Sequence, residues 1–125
     1  MRVGNIETRR AILDVRDTVE ALVRLAAAGA SGEAYNICAD TAYPISEFIR
    51  ILEKLTNQTF DLAPDPTLFR PTNELVIFGD SSKLKAHTGW KQTVSIDETI
   101  KAVLEYEQTM FDTLSALPQR FAIRA

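Results

Sequence analysis

The stretch from Asp14 to Cys38 constrains the fold most. Val15, Val19, Leu22, Val23 and Ala26 recur at the spacing that gathers side chains on one helix face, which predicts a helix to Ala28 with that face buried. Asp17 suits either the N-cap or an acidic first turn, and Gly29 suits the stop. Ser31-Gly32 then turns the chain into Glu33-Ala34-Tyr35-Asn36-Ile37-Cys38, which reads as a short strand. A helix delivered into a strand is half of a βαβ unit, so the chain reads as α/β.

The remaining punctuation fits that class. Met1 to Ile6 alternates like a strand or extended segment, and Glu7-Thr8-Arg9-Arg10 reads as a polar loop with two solvated cations. Pro44 opens a second helix with Ile45, Phe48, Ile49, Leu52 and Leu55 as its apolar stripe, ending at Asn57. Thr59 to Ala63 alternates like a strand, until Pro64-Asp65-Pro66 breaks it. Leu75-Val76-Ile77-Phe78 reads as a short strand, and Asp80 to Lys83 as the cap of a short helix stopped at Gly89. Trp90 packs as a core lid or stacks on a ligand. Ser95 and Glu98 have capping-box spacing ahead of a helix carrying Ile100, Val103, Leu104 and Phe111. The pattern decays at Ser115. Residues 1–114 therefore read as one body and 115–125 as a tail, whose Phe121 and Ile123 are available to touch the body or a neighbour.

Between the break at Pro66 and the strand lies Phe69-Arg70-Pro71-Thr72-Asn73-Glu74. Proline fixes φ near −65°, so Arg70 leaves this turn in a set direction, and a directed guanidinium suits a phosphate or carboxylate. The competing reading is an ordinary surface arginine at a loop corner. A net charge of −3 argues against nucleic acid as the main partner. One cysteine (Cys38) and one histidine (His87) do not make a metal cluster. The lone cysteine favours a reducing, cytoplasmic setting, and no apolar run reaches the length of a membrane span.

Taken in order, several segments carry a family resemblance: Gly4-Asn5-Ile6, Arg10, Leu13 to Asp17, Gly32 to Ile37, Ile45-Ser46-Glu47, Asp65-Pro66, Arg70-Pro71-Thr72, Gly79 to Leu84 and Thr88-Gly89-Trp90. This ordered set resembles the carboxy-terminal part of the extended short-chain dehydrogenase/reductases, the NAD(P)-dependent nucleotide-sugar dehydratases, epimerases and reductases. Gly4-Asn5, Asp14-Val15-Arg16-Asp17 and Arg70-Pro71-Thr72 look most like the GDP-sugar branch, which holds GDP-mannose 4,6-dehydratase and GDP-4-dehydro-6-deoxy-mannose reductase, with a tilt toward the reductase.

The resemblance implies a Rossmann-type α/β architecture with about four helices and short strands. It implies a nucleotide-sugar held by Arg10 and Arg70 at the diphosphate, with Pro71 and Thr72 shaping the loop and Asn73 where the family usually has an acid on the ribose. It also implies, in the complete enzyme, a hydride passed between nicotinamide and sugar C4; a piece without its other half would expose apolar surface, which favours a dimer or other homo-oligomer. Ala11 and Cys38-Ala39-Asp40 depart from the pattern, which shows Asp after the arginine and a glycine-containing turn after Ile37.

The family's dinucleotide half opens with a Gly-rich turn and carries a Tyr with Lys four residues later. Here the five glycines form no such turn, and Tyr35, Tyr43 and Tyr106 are followed at that spacing by Ala39, Glu47 and Met110. The expectation is a catalytically silent substrate-binding piece that lacks its amino-terminal dinucleotide-binding half and carries no cofactor itself. The alternative is a non-catalytic binding or interaction module derived from that family.

Overall fold

Helices form because their N-termini find acceptors, and here two of them find those acceptors in unexpected places. The computed structural model describes residues 1–69 and 74–115. The elements are β1 (Arg2–Val3), β2 (Arg9–Arg10), α1 (Val15–Ala28), β3 (Tyr43–Pro44), α2 (Ile45–Thr56), β4 (Ala63–Pro64), a 3-10 turn (Pro66–Leu68), β5 (Val76–Ile77), α3 (Ser82–Thr88) and α4 (Ile96–Ser115). β1 pairs in parallel with β4, while β2 lies between β3 (antiparallel) and β5 (parallel).

The cap of α1 is Asp14, not Asp17. Asp14 has extended backbone and takes the Arg16 N–H at 2.8 Å. Asp17 falls in the first turn, pointing inward. The helix stops at Gly29, where a Cβ would lie 2.6 Å from the Leu25 carbonyl oxygen. The N-cap of α2, Pro44, has no capping side chain. Instead the Ile45 and Ser46 N–H groups donate to the carbonyls of Thr8 (3.1 Å) and Ile6 (2.9 Å), so the β1–β2 connector is the cap. α2 ends as its sequence predicts, with Asn57 in the left-handed region at φ 52°. α4 starts with the expected capping box: Ser95 N–H to Glu98 Oε2 at 2.9 Å, and Glu98 N–H to Ser95 Oγ at 3.2 Å.

Two apolar clusters result. Ala21 of α1, Leu84 of α3 and Trp90 form one, flanked by Leu13, Leu25, Tyr35 and Ile37. Ile51 of α2 with Ile96 and Ile100 of α4 form the other, flanked by Tyr43, Phe48 and Leu52. Trp90 is 1% exposed and its Nε1–H donates to the Asp17 carbonyl at 3.0 Å, so it is the core lid.

Several sequence expectations are corrected. Val15, Val19, Leu22 and Val23 are exposed (Val15 71%), and α1 meets α3 through Ala21 and Leu25 instead. The stripe is real, but nothing among the described residues covers it. Val103 and Phe111 of α4 are likewise exposed. Residues 33–38 form no strand, because no described strand runs beside them. Arg9 and Arg10 are the middle strand of a sheet rather than loop, since pairing on both sides outweighs their charge. Of Thr59 to Ala63, only Ala63 enters a ladder. The tail residues 116–125 lie outside the described residues.

Candidate functional site

The centre of interest is β2 and the strand β5 beside it. The Arg9 N–H donates to the Leu75 carbonyl at 2.7 Å and the Ala11 N–H to Ile77 at 3.2 Å. These bonds place Arg10 level with Ile77. The Arg10 guanidinium uses Nη1 to reach the Arg9 carbonyl (2.7 Å) and the Glu74 carbonyl (3.1 Å). Glu74 closes the segment that carries Arg70, so Arg10 stands at the exit of that segment. Its Nε and Nη2 hydrogens meet no protein acceptor among the described residues, leaving part of the fork available to an anion. Arg70, Pro71, Thr72 and Asn73, the other site residues expected from sequence, lie outside the described residues.

A cleft of about 370 Å³ lies between the β1–β2 connector, α2 and Leu68. Val3, Ile6, Ile45, Ile49 and Leu68 make it apolar, with Gly4 and Asn5 at its edge. Its walls are pinned. A Cβ on Gly4 would sit 3.0 Å from the Leu68 carbonyl oxygen, and Asn5 Oδ1 accepts from the Glu7 N–H at 3.0 Å. Asp65 holds the turn that carries Leu68, accepting from Thr67 Oγ1 (2.7 Å), the Thr67 N–H (3.0 Å) and Arg2. The Thr67 contacts, with Arg2, hold its carboxyl below the usual carboxylate range. A cleft this size with one rigid polar edge is adequate for a planar or ring-shaped ligand.

A second cleft, of about 410 Å³, has Arg16, Arg24 and Lys91 on its rim. Both arginines are already held, Arg16 by Asp14 (Nε to Oδ1 2.9 Å) and Arg24 by Glu20 (2.6 Å), so this rim offers an anion less than its composition suggests. Sequence reading missed one cluster altogether. Tyr35 Oη lies 2.8 Å from His87 Nδ1 and accepts from the Ala30 N–H at 2.9 Å. Lys83 Nζ stands 4.7 Å from the Tyr35 ring centre and 2.6 Å from Glu33 Oε2, which keeps Glu33 below the usual range. Contacts across about 50 residues of chain leave no local spacing signal; this cluster ties the segment before Cys38 to α3.

Among the described residues, Gly29 and Gly89 close helices, Gly4 abuts Leu68, Gly79 abuts Cys38 and Gly32 stands alone in the turn after α1, so the glycines do not gather into one phosphate-cradling turn. No metal-ligating cluster occurs among the described residues, and no helix among them is long and apolar enough to cross a membrane.

Residues 1–103 match the GDP-mannose 4,6 dehydratase family. The chain is 31% identical over 104 residues to the GDP-6-deoxy-D-mannose reductase of Pseudomonas aeruginosa, covering 83% of this chain and 34% of that protein. It superposes on the Pseudomonas aeruginosa protein RMD, solved with NADPH, with a TM-score of 0.81 at 28% identity over 88% of this chain and 36% of the other. A putative epimerase from Burkholderia cenocepacia J2315 gives 0.82 at 27% identity, covering 87% and 36%. The chain thus spans about a third of the length of the relatives it matches.

Proposed function

The chain belongs to the GDP-mannose 4,6 dehydratase family, and on that premise we propose that it is the nucleotide-sugar-binding portion of an NAD(P)-dependent reductase or dehydratase acting on a GDP-sugar. Its architecture, four helices with short strands, is that of the carboxy-terminal portion of an extended short-chain dehydrogenase/reductase fold. The observation that carries the proposal is the Arg10 guanidinium, which donates to the carbonyl of Glu74, four residues along the chain from Arg70. Two convergent guanidiniums, Arg10 and Arg70, can each donate in fork geometry to one diphosphate. Pro71 sets the direction of Arg70, and Thr72 with Asn73 contacts the same nucleotide. The apolar cleft walled by Ile6, Ile45 and Leu68 receives the base or ribose face.

In this reading residues 1–114 do the binding and 115–125 are an appended segment. The dinucleotide, as NAD(P), is bound by a separate dinucleotide-binding portion, which docks on the exposed stripe of α1, and the assembly is a cytoplasmic homo-oligomer. Binding and orienting the sugar is the contribution of this chain, because positioned reactants shorten the route to the transition state.

A second reading is favoured by one observation, that no Tyr in the chain is followed by Lys four residues later: the chain would be a binding or interaction module without catalysis. Calorimetric titration with GDP-mannose and with UDP-glucose tests the first reading. We expect heat with GDP-mannose only, and a loss of about tenfold or more in affinity for Arg10→Ala and for Arg70→Ala. No GDP-mannose binding, with or without a relative's dinucleotide-binding portion added, would leave the module reading.

A further inference from the structure

We infer that the distal half of α4 is a docking surface for a helix whose apolar stripe is interrupted by a lysine or arginine. The family match ends at residue 103, yet α4 continues to Ser115, about 18 Å farther. At 100° per residue, Ile96, Ile100, Val103, Leu104, Met110, Phe111 and Leu114 fall on one stripe about 120° wide. The first two seat the helix on Ile51 of α2. The stripe then runs off the body, with Val103, Phe111 (67% exposed) and Leu114 open to solvent.

Glu107 decides the kind of partner. It falls in the middle of that stripe, and among the described residues no cation pairs with it. Polar pairs lie off the stripe, Lys101 with Glu105 at 3.8 Å and Gln108 with Asp112 at 3.0 Å. An isologous antiparallel pair of two copies about this point would set Glu107 against Glu107 in an apolar seam, which is repulsive where screening is least. A partner helix with a cation at the facing position turns the same carboxylate into a specificity contact, as polar residues do at coiled-coil core positions.

The test uses the full chain and three fluorescently labelled helical peptides: a leucine stripe with one central lysine, the same with glutamate, and a scrambled lysine version. We expect the lysine peptide to bind about tenfold or more tighter than the other two. Phe111→Asp, an exposed substitution that leaves the circular dichroism melt unchanged, should remove that binding, and Glu107→Lys should reverse the preference. Equal binding of the scrambled peptide, an unchanged preference in Glu107→Lys, or Phe111-dependent dimerisation of the chain would each overturn the assignment. So would binding that emerges only after Phe121→Ser with Ile123→Ser, which would make the chain's own last residues the occupant, or Phe111-dependent binding to phosphatidylcholine vesicles in place of peptide.

Discussion

Asp17 shows how much one buried carboxylate can organise. It is 2% exposed and accepts from the Thr93 hydroxyl (2.7 Å), the Thr93 N–H (3.1 Å) and the Val94 N–H (2.9 Å), while its own carbonyl holds Trp90. Removing it leaves the half-buried N–H groups of Thr93 and Val94 without this acceptor, so Asp17→Ala should cost about 1–3 kcal/mol and Asp17→Asn less, read as urea midpoints at unchanged m-value. Asp14 is coupled to pH. Its hydrogen bonds from Arg16, then from Thr99, hold its carboxyl far below the usual range despite burial. A folded value below the unfolded one means the stabilisation is complete above the unfolded value near 3.9, and is lost as pH falls toward the folded value. Stability measured by urea should therefore decline below about pH 4.5, and Asp14→Asn should flatten that decline. The sequence marks Asp17 as a helix-start acid, but the partners Thr93 of Asp17 and Thr99 of Asp14 lie 76 and 85 residues away, and no local pattern carries that information.

Elements whose signals are local were legible. The capping box at Ser95, the left-handed stop at Asn57 and the short helix closed by Gly89 follow from residue chemistry within one turn. Ser95→Ala should cost about 1 kcal/mol, checked by thermal melts. Because the Ser95 hydroxyl and N–H also hold Glu98 below its usual range, the same substitution should raise the Glu98 titration point in a carboxyl NMR titration. Elements whose signals are distant were not legible. Arg9-Arg10 is a strand only because Tyr43 and Val76 reach it, and Glu33 to Cys38 is not one because no described strand does. The same distinction divides the site. Arg10 is singled out by the resemblance alone and its bond to Glu74 shows where its side chain lies, whereas the Tyr35–His87 contact has no local signal to read.

On the scale of the molecule, apolar surface is distributed as though more protein were expected to cover it. Val15, Val19, Leu22 and Val23 on α1, and Leu75 to Phe78 around β5, are all exposed, in a chain matching about a third of its relatives' length. Each half-exposed aliphatic side chain that becomes covered contributes on the order of 1 kcal/mol, so the two patches together favour association that is weak and shows at high concentration. The isolated chain should therefore self-associate at high concentration, and Val19→Glu with Leu22→Glu should keep it monomeric in sedimentation without lowering its melting temperature, since neither side chain supports the fold. Adding the dinucleotide-binding portion of a relative should compete with self-association, replacing the homo-oligomer by a mixed complex that the same double substitution abolishes. If instead the double substitution unfolds the chain, the stripe belongs to its own interior, and the assignment of α1 as a docking face fails with it.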